Sequence, residues 1–325
     1  MPDTGSWFRH GRRTIVAPPA DHELRLQRAR LSLEGLSVGD AFGERYFFPE
    51  VPARQLIEAR ALIAEPWPWT DDTAMALSIF ETLAHHGNVD RDALALAFAA
   101  RYTREPFRGY GRMAADILNE IQLGKSWRTV ATRPFNGRGS MGNGGAMRVA
   151  PVGAYFADDP DRVVAEARAS AEVTHAHPEG QAGAIAVAVA AAFAWNVRER
   201  MTANAGRELI EGVRKCTPSG ETRDGLDKLS DFPLDAPVGK AVELVGNGSR
   251  VTAPDTVPFA IWCAARHLSD YEEAMWTTVA GLGDRDTTCA IVGGIVVLSA
   301  GEGSIPAEWR RRREALPTIS SATPR

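Results

Sequence analysis

The amino-acid sequence predicts an all-α protein organised as one domain. Apolar side chains recur at helical spacing, as in residues 73–85, where Met75, Leu77, Phe80 and Leu83 follow a rhythm near 3.6 residues. No long stretch alternates between polar and apolar residues, as a half-buried strand would. Many of the helical segments are rich in alanine, whose short side chain lets helices pack closely. Together these observations favour a core built of helix against helix.

The predicted helices follow one another along most of the chain. In order they span residues 22–38, 73–85, 91–102, 111–123, 161–171, 178–197, 201–215, 256–268, 271–282 and 288–299. The first has only a rough apolar stripe, whereas the second is regular and ends before Gly87. Loops are expected where Pro, Gly and Ser gather, at residues 49–52, 65–69, 133–145 and 218–237.

No linker or repeat divides the chain. We therefore expect a single domain over residues 21–310, with a loose N-terminal tail at 1–20 and a loose C-terminal tail at 311–325. The first 20 residues contain three arginines but no apolar core, which is unlike a signal peptide. The apolar runs 182–197 and 289–300 are shorter than the roughly 20 residues of a membrane-spanning helix, so we expect no membrane association.

Charge and cysteine content narrow the class of function. The net charge is -4 over 325 residues, so no overall basic field would attract nucleic acid, and we expect no extended nucleic-acid binding. Three cysteines without a CxxC pair argue against a disulfide framework and indicate a reducing cytoplasm. We expect a monomer. A polyanionic ligand would need local donors or metal ions.

Two acidic motifs stand directly before apolar helices. The first is Thr70-Asp71-Asp72, where a threonine or aspartate could simply cap the helix. The second is Asp284-Arg285-Asp286-Thr287, which offers more acid than one cap can use. Hard cations bind carboxylate and hydroxyl oxygens, and four carboxylates match the charge of two divalent ions. The two motifs together favour a metal site over two caps.

A glycine-rich loop separates the acidic motifs. Residues 135–145 contain five glycines, which would let backbone N–H groups approach an anion closely. A diphosphate cradle and a plain connection both fit this loop. It has neither the order of a Walker loop nor the strand context of a dinucleotide fold, so those two interpretations are set aside.

Two further segments carry chemistry of lower specificity. His175 and His177 lack the cysteines or the HExxH pattern of a zinc site. One histidine that donates to a phosphate or ribose is the favoured interpretation, with a packing role close behind. The segment Gly39-Asp40-Ala41-Phe42-Gly43-Glu44 places two acids beside glycines, either as a loop with a turn or as part of a site.

Taken in order, GDAFGE, WTDDT, FNGRGSMGNGGAMR, THAHPEG and GDRDTTCAIVGG resemble the ADP-ribosylglycohydrolase family. This family includes dinitrogenase-reductase-activating glycohydrolase and the mammalian ADP-ribosyl-acceptor hydrolases. The resemblance covers residues 31–301, and its glycine-rich segment is most similar to the branch that releases ADP-ribose from serine. It implies a compact orthogonal helical domain and a hydrolase that removes ADP-ribose from an N- or O-linked acceptor.

The resemblance also implies the roles of individual residues. A centre of two Mg²⁺ or Mn²⁺ ions would be held by Thr70, Asp71, Asp72, Asp284, Asp286 and Thr287. Substrate would be bound by Phe135 on the adenine, by Gly139, Ser140, Met141, Gly142, Asn143 and Gly144 around the diphosphate, and by His175. The expected catalytic residues are Glu44, Asp72 and Asp284. Glycoside hydrolysis needs carboxylates beside the anomeric carbon and an acid for the leaving group.

Three positions depart from the family pattern. Phe47 stands where the serine-directed branch often has glutamate, which leaves Glu44 as the available acid. Met141 replaces an aromatic residue, and Arg285 stands where a threonine is usual. Two alternatives follow: a catalytically weak relative that only binds ADP-ribose or a nucleotide, and a hydrolase of small-molecule or nucleic-acid conjugates of ADP-ribose. The presence of all six expected ligands disfavours the first.

Overall fold

The computed structural model describes residues 20–318 and is built from α-helices. These are α1 (His22–Glu44), α2 (Glu50–Glu58), α3 (Asp71–His86), α4 (Arg91–Arg104), α5 (Arg112–Gln122), α6 (Trp127–Thr132), α7 (Pro134–Gly137), α8 (Gly144–Met147), α9 (Ala150–Tyr155), α10 (Pro160–Glu172), α11 (Pro178–Val197), α12 (Ala205–Cys216), α13 (Glu221–Leu229), α14 (Val238–Val245), α15 (Ala253–Arg266), α16 (Tyr271–Val279), α17 (Arg285–Ala300) and α18 (Ala307–Arg312). No β-strand forms between residues 20 and 318, where the only bridges are two isolated residue pairs. The all-α prediction is confirmed.

Each predicted helix has a counterpart, but several short helices were missed. Helix α2 lies where a loop was expected at 49–52, and α13 and α14 lie within and just after the expected loop at 218–237. Pro49 and Pro237 are the N-cap residues of α2 and α14. Proline at a helix start costs no backbone hydrogen bond, because the first N–H groups of a helix have no partner within it. The prolines therefore marked helix starts rather than loops.

Helices α1 and α17 form the closest pair in the fold. Along α1, glycines recur every four residues, and a Cβ added to Gly39 or Gly43 would come to 2.2 Å from the carbonyl oxygens of Cys289 or Arg285. The two backbones thus touch. The segment 39–44, which one interpretation made a loop, is instead the last part of α1. Its glycines are needed for this close approach rather than for flexibility.

The antiparallel pairing of α1 and α17 positions the acidic residues. Arg285 begins α17 and lies opposite Gly43 near the end of α1. The start of α17 therefore brings Asp284 and Asp286 beside the turn of α1 that carries Asp40 and Glu44. Acidic residues from opposite ends of the domain become neighbours through one helix contact.

Helix α11 lies in the interior of the fold. It is long and apolar enough to cross a membrane by length and composition, yet 67% of its most apolar window is buried within the protein. It packs against α8, α9, α10, α12, α15 and α17. A central position among helices accounts for its apolar composition.

The C-terminal segment packs against the domain beyond the boundary expected at residue 310. The Trp309 ring stacks on Phe42 of α1, with ring centroids 4.4 Å apart. Trp67 donates to the Arg312 carbonyl and accepts from the Glu314 amide. Residues 311–314 are therefore held by backbone hydrogen bonds, unlike the loose tail that the sequence predicts from 311. The predicted N-terminal tail up to residue 19 and residues 319–325 lie outside the described residues.

Candidate active site

The motifs singled out from the sequence line one cavity of about 510 Å³. The predicted site residues that line it are Asp71, Asp72, Phe135, Ser140, Met141, Gly142, Asn143, Gly144, His175, Asp284, Asp286 and Thr287. They come from the starts of α3 and α17, the loop before α8 and the turn before α11. This volume is in the range of small-molecule sites in proteins.

A second cavity of about 400 Å³ adjoins the first and contains the remaining acid. Glu44 and Thr70 line it together with aromatic residues such as Trp69 and Phe107. Asp286 lines both cavities. The acidic cluster therefore lies between a larger space beside the glycine-rich loop and a smaller space beside Glu44.

Asp40 holds the first acidic motif in place. Its buried carboxylate accepts hydrogen bonds from the amide and hydroxyl of Thr70 and from the amide and hydroxyl of Thr73, at 2.5 to 3.1 Å from the nearer oxygen. The Thr70 hydroxyl also accepts from the Asp72 amide at 3.3 Å, which confirms that it caps α3. Sequence reasoning quoted Asp40 within its motif but assigned it no role.

The second acidic motif is held by the glycine-rich loop. Asp284 precedes α17 at the N-cap position, yet its side chain makes no capping hydrogen bond. Its Oδ2 instead accepts from Asn143 Nδ2 at 2.6 Å. Asp286 accepts from the Thr287 amide through Oδ1 at 2.8 Å. Asn143, which is predicted to bind substrate, thus orients Asp284, which is predicted to bind metal.

The acidic side chains raise one another's pKa values. Burial raises the pKa of Asp71 to about 7, with a further contribution from Asp40. Burial, followed by the charge of a neighbouring carboxylate, raises the pKa values of Asp72 and Asp286 well above their usual range. The cluster has an excess of negative charge that a bound cation would relieve.

The donor chemistry of the cluster fits hard divalent cations. Asp72 Oδ1 is buried and has no hydrogen-bond partner within the described residues. Such an oxygen is costly unless something positive binds it. Within residues 20–318, no group of three acidic, histidine or cysteine side chains is arranged as a ready metal site. Hydroxyl, water or substrate oxygens would have to complete the ligand set, as is common for Mg²⁺.

The glycine-rich loop lines the cavity along most of its length. The Ala253 amide donates to the Met141 carbonyl at 2.9 Å, and an isolated bridge joins Gly142 to Thr252. The loop is thereby fixed to the start of α15. Gly139, however, does not line the cavity. A Cβ there would come to 2.7 Å from the His177 amide nitrogen, so Gly139 packs behind the loop rather than facing the ligand space.

Phe135 and His175 lie at different depths. Phe135 is 52% exposed, with a left-handed backbone at φ 54, which places it where a flat ligand could reach its ring. His175 is buried beside the loop, and its Nδ1 is 2.8 Å from the Thr174 hydroxyl. Burial lowers the pKa of His175 to about 3, so its imidazole is neutral.

Several cavity residues were missed by sequence reasoning. Gly109 and Arg112, near the start of α5, and Arg250, before α15, line the main cavity. The two arginines are exposed, and the Arg250 guanidinium is paired with the buried Asp255 carboxylate at 3.0 Å. They stand singly in loops and helix ends of unremarkable composition, so no local motif marks them. Only the packing of the helices brings them to the site.

The comparisons with known proteins identify a family. Residues 21–323 match the family model for ADP-ribosylglycohydrolase. The chain is 28% identical to human ADP-ribosylhydrolase ARH3, over 89% of this chain and 90% of that protein. It is 31% identical to ADP-ribosylhydrolase ARH3 of Gallus gallus, over 77% of this chain and 75% of that protein.

More distant relatives agree with this assignment. ADP-ribosylarginine hydrolase Tri1 of Serratia proteamaculans is 24% identical, over 87% of this chain and 74% of that protein. A solved structure described as an ADP-ribosylglycohydrolase-related protein complex has the same fold, with a TM-score of 0.61 and 24% identity over 90% of this chain and 94% of that one. The chain therefore belongs to the ADP-ribosylglycohydrolase family and is a hydrolase.

Proposed function

We propose that the protein hydrolyses the N- or O-glycosidic bond between ADP-ribose and an acceptor, with two Mg²⁺ or Mn²⁺ ions at the acidic cluster. The observation that carries the proposal is the single cavity in which both acidic motifs meet the glycine-rich loop, Phe135 and His175. A simple phosphate ester would need neither an aromatic ring nor a long loop. The combination favours a ligand that contains a base, a diphosphate and a sugar.

Six side chains would hold the two ions. They are Thr70, Asp71, Asp72, Asp284, Asp286 and Thr287. The orphaned oxygen of Asp72 and the raised pKa values of the carboxyls support a cationic occupant. When bound, such ions neutralise the carboxylates and lower the pKa of a nearby water molecule.

The protein's own residues would bind and orient the substrate. Phe135 offers a ring face on which a base can stack. The loop from Ser140 to Gly144 would bind a diphosphate through those of its backbone N–H groups that are not already used, since the amides of Gly142 and Asn143 donate within the chain. The exposed Arg112 adds positive charge to the same cavity. The ribose would then reach the acidic cluster at the boundary between the two cavities. The acceptor would extend into the smaller cavity, beside Glu44.

Cleavage would use the carboxylates on either side of the anomeric carbon. Asp72 and Asp284 would stabilise the positive charge that develops there as the bond to the acceptor breaks. Glu44 would donate a proton to the departing acceptor, and a water molecule would supply the new oxygen and return one of its protons to Glu44. Burial, then the charge of Asp40, raises the pKa of Glu44, which favours the protonated form that an acid needs.

The decisive experiment measures free ADP-ribose released from serine-linked, arginine-linked and small-molecule conjugates, each with Mg²⁺, Mn²⁺ or EDTA. Arginine linkage is included because one relative is named an ADP-ribosylarginine hydrolase. We expect release from one class with metal and none with EDTA. The matched control is Asp235→Asn, which alters an exposed carboxylate outside both cavities. Tight ADP-ribose binding without release from any conjugate would instead indicate a binding protein.

A further inference from the structure

A buried arginine lies beneath the cavity and has no role in the proposed reaction. Arg148 is fully buried, and its guanidinium lies over the Phe98 ring at 4.3 Å. Its Nη2 donates to the Thr174 hydroxyl at 2.8 Å and to the Ser170 carbonyl at 3.0 Å. Burying a guanidinium is costly unless its donors are used. Arg148 contacts Thr174, and Thr174 contacts His175, so the buried guanidinium can serve to position His175.

The hydrogen bonds of Arg148 dictate where the Thr174 proton lies. A guanidinium can only donate, so the oxygen of the Thr174 hydroxyl must accept from Arg148. The same hydroxyl is 2.8 Å from His175 Nδ1. Within the described residues, Nδ1 is the one acceptor within hydrogen-bond distance of the single proton of this hydroxyl. A hydrogen bond in that direction requires Nδ1 to be unprotonated.

The protonation state of His175 follows from the same contacts. A neutral imidazole whose Nδ1 accepts carries its proton on Nε2. Burial, and then the charge of Arg148, lower the pKa of His175 to about 3, so the ring stays neutral. His175 lines the main cavity, and within the described residues its Nε2 has no hydrogen-bond partner. Nε2 is therefore available to a ligand.

The glycine-rich loop leaves room for this edge of the ring. A Cβ added to Gly142 would come to 3.2 Å from His175 Nε2, and one added to Gly144 to 3.0 Å. Any larger residue at these positions would press on the ring. The Nε2–H group thus opens onto the part of the cavity that the glycine-rich loop lines.

We propose that Arg148 and Thr174 are positioning residues that fix His175 as a neutral Nε2–H donor to an anionic oxygen of the bound ligand. That this oxygen belongs to the diphosphate of ADP-ribose rests on the proposed function. The tautomer of His175 does not rest on the proposed function, because it follows from hydrogen bonds within the chain. The arrangement supplies a directed donor without placing a second positive charge beside Arg148.

The tautomer is tested by long-range ¹H–¹⁵N NMR of the full chain labelled at histidine. The chain has 7 histidines, and His175→Gln identifies the signals of His175. In the unaltered protein we expect a bare Nδ1 and a protonated Nε2. Thr174→Val removes the hydroxyl at nearly constant shape and should move the signals towards the Nδ1–H tautomer. Thr174→Ser keeps a hydroxyl and should restore the original pattern. An unchanged tautomer in Thr174→Val would overturn the proposal.

Binding of ADP-ribose, measured by calorimetry, tests the consequence for the ligand. Thr174→Val should weaken binding by about tenfold, the size expected when one hydrogen bond to a charged group is lost, and Thr174→Ser should bind nearly as the unaltered protein does. Ser170→Ala is the matched control, because it removes a buried hydroxyl that has no partner. Equal weakening by Ser170→Ala and Thr174→Val would assign the effect to packing and reject the role of Thr174. If the unaltered protein does not bind ADP-ribose, the proposed function fails, and the NMR result still decides the tautomer.

Discussion

The two acidic motifs look alike in the sequence but are anchored to different parts of the molecule. Thr70 caps α3, and buried Asp40 of α1 accepts four hydrogen bonds from Thr70 and Thr73. Asp284 makes no side-chain cap, and its carboxylate accepts from Asn143 in the glycine-rich loop. One motif is tied to the helical core and the other to the ligand-binding loop.

The difference teaches that an acidic helix start can serve two purposes. Burial raises the pKa of the Asp40 carboxyl, and the hydrogen bonds from Thr73 and Thr70 oppose that rise. The first motif therefore contributes to stability as well as to the site. The half-buried Asp284 makes no capping hydrogen bond at the start of α17, whereas Asp286 accepts from the Thr287 amide in its first turn. Substitutions should separate the two roles.

The largest expected effect is loss of activity in the second motif. Asp284→Asn and Asp286→Asn should each lower ADP-ribose release by about 100-fold or more, because a neutral amide replaces a ligand of the proposed ions. The free energy of unfolding, measured in urea, should change little. Full turnover in either variant would rule out the proposed metal centre.

Glu44 lies on the same helix as Asp40 but faces the smaller cavity. Glu44→Gln should lower kcat by about 100-fold, since a general acid contributes at least that much. Affinity for ADP-ribose should stay close to that of the unaltered protein, because Glu44 faces the acceptor side. Steady-state kinetics and calorimetry together provide the check. Equal changes in kcat and affinity would show that Glu44 is not the acid.

Asp40→Asn should have its main effect on stability. An amide cannot accept from all four donors, so at least one buried donor would lose its partner. We expect the free energy of unfolding in urea to fall by about 3 kcal/mol. Asp284→Asn is the control, since it replaces the corresponding carboxylate in the motif that is tied to the loop. Equal destabilisation by both substitutions would remove the distinction between the two anchors.

Phe135→Ala tests the loop to which the second motif is joined. Affinity for ADP-ribose should fall by about 1–3 kcal/mol if the ring stacks on the base. The free energy of unfolding should be nearly unchanged, because the side chain is 52% exposed. Calorimetry with ADP-ribose measures the first quantity and urea unfolding the second. An unchanged affinity would reject stacking.

The smallest effect concerns pH. Because the folded state raises the pKa of Asp71 from 3.8 to about 7, this carboxyl keeps its proton in the folded protein where the unfolded chain has lost it. Its contribution to stability therefore falls as pH rises through that window. The pKa of His175 is lowered in the folded protein, so its contribution to stability instead falls as pH drops below the ordinary histidine pKa. Between about pH 5 and about pH 7, the free energy of unfolding in urea with EDTA should fall less for Asp71→Asn than for the unaltered protein. The same pH dependence in both proteins would contradict the raised pKa.

By itself, the sequence determined the fold class and the chemistry-bearing motifs. Helical periodicity and alanine content are local properties, and the acidic, glycine-rich and histidine segments concentrate unusual residues within a few positions. It also determined that Thr70 could cap α3, because a cap depends only on its nearest neighbours. Short helices such as α2 and α14 were not predicted, because a proline can stand in a loop or at the start of a helix.

The tertiary structure alone decided which residues complete the site. Arg112 and Arg250 stand singly in the sequence, and no spacing rule connects them to the motifs. Asp40 and Thr174 lie within motifs, but their partners are far away in the chain or set by burial. They become neighbours because α1 packs backbone to backbone on α17 and because the glycine-rich loop bonds to the start of α15. Gly139 lies outside the cavity lining for the same reason, since its Cα packs against the His177 backbone. Hydrogen-bond partners and burial are properties of packing between distant segments, which local patterns do not encode.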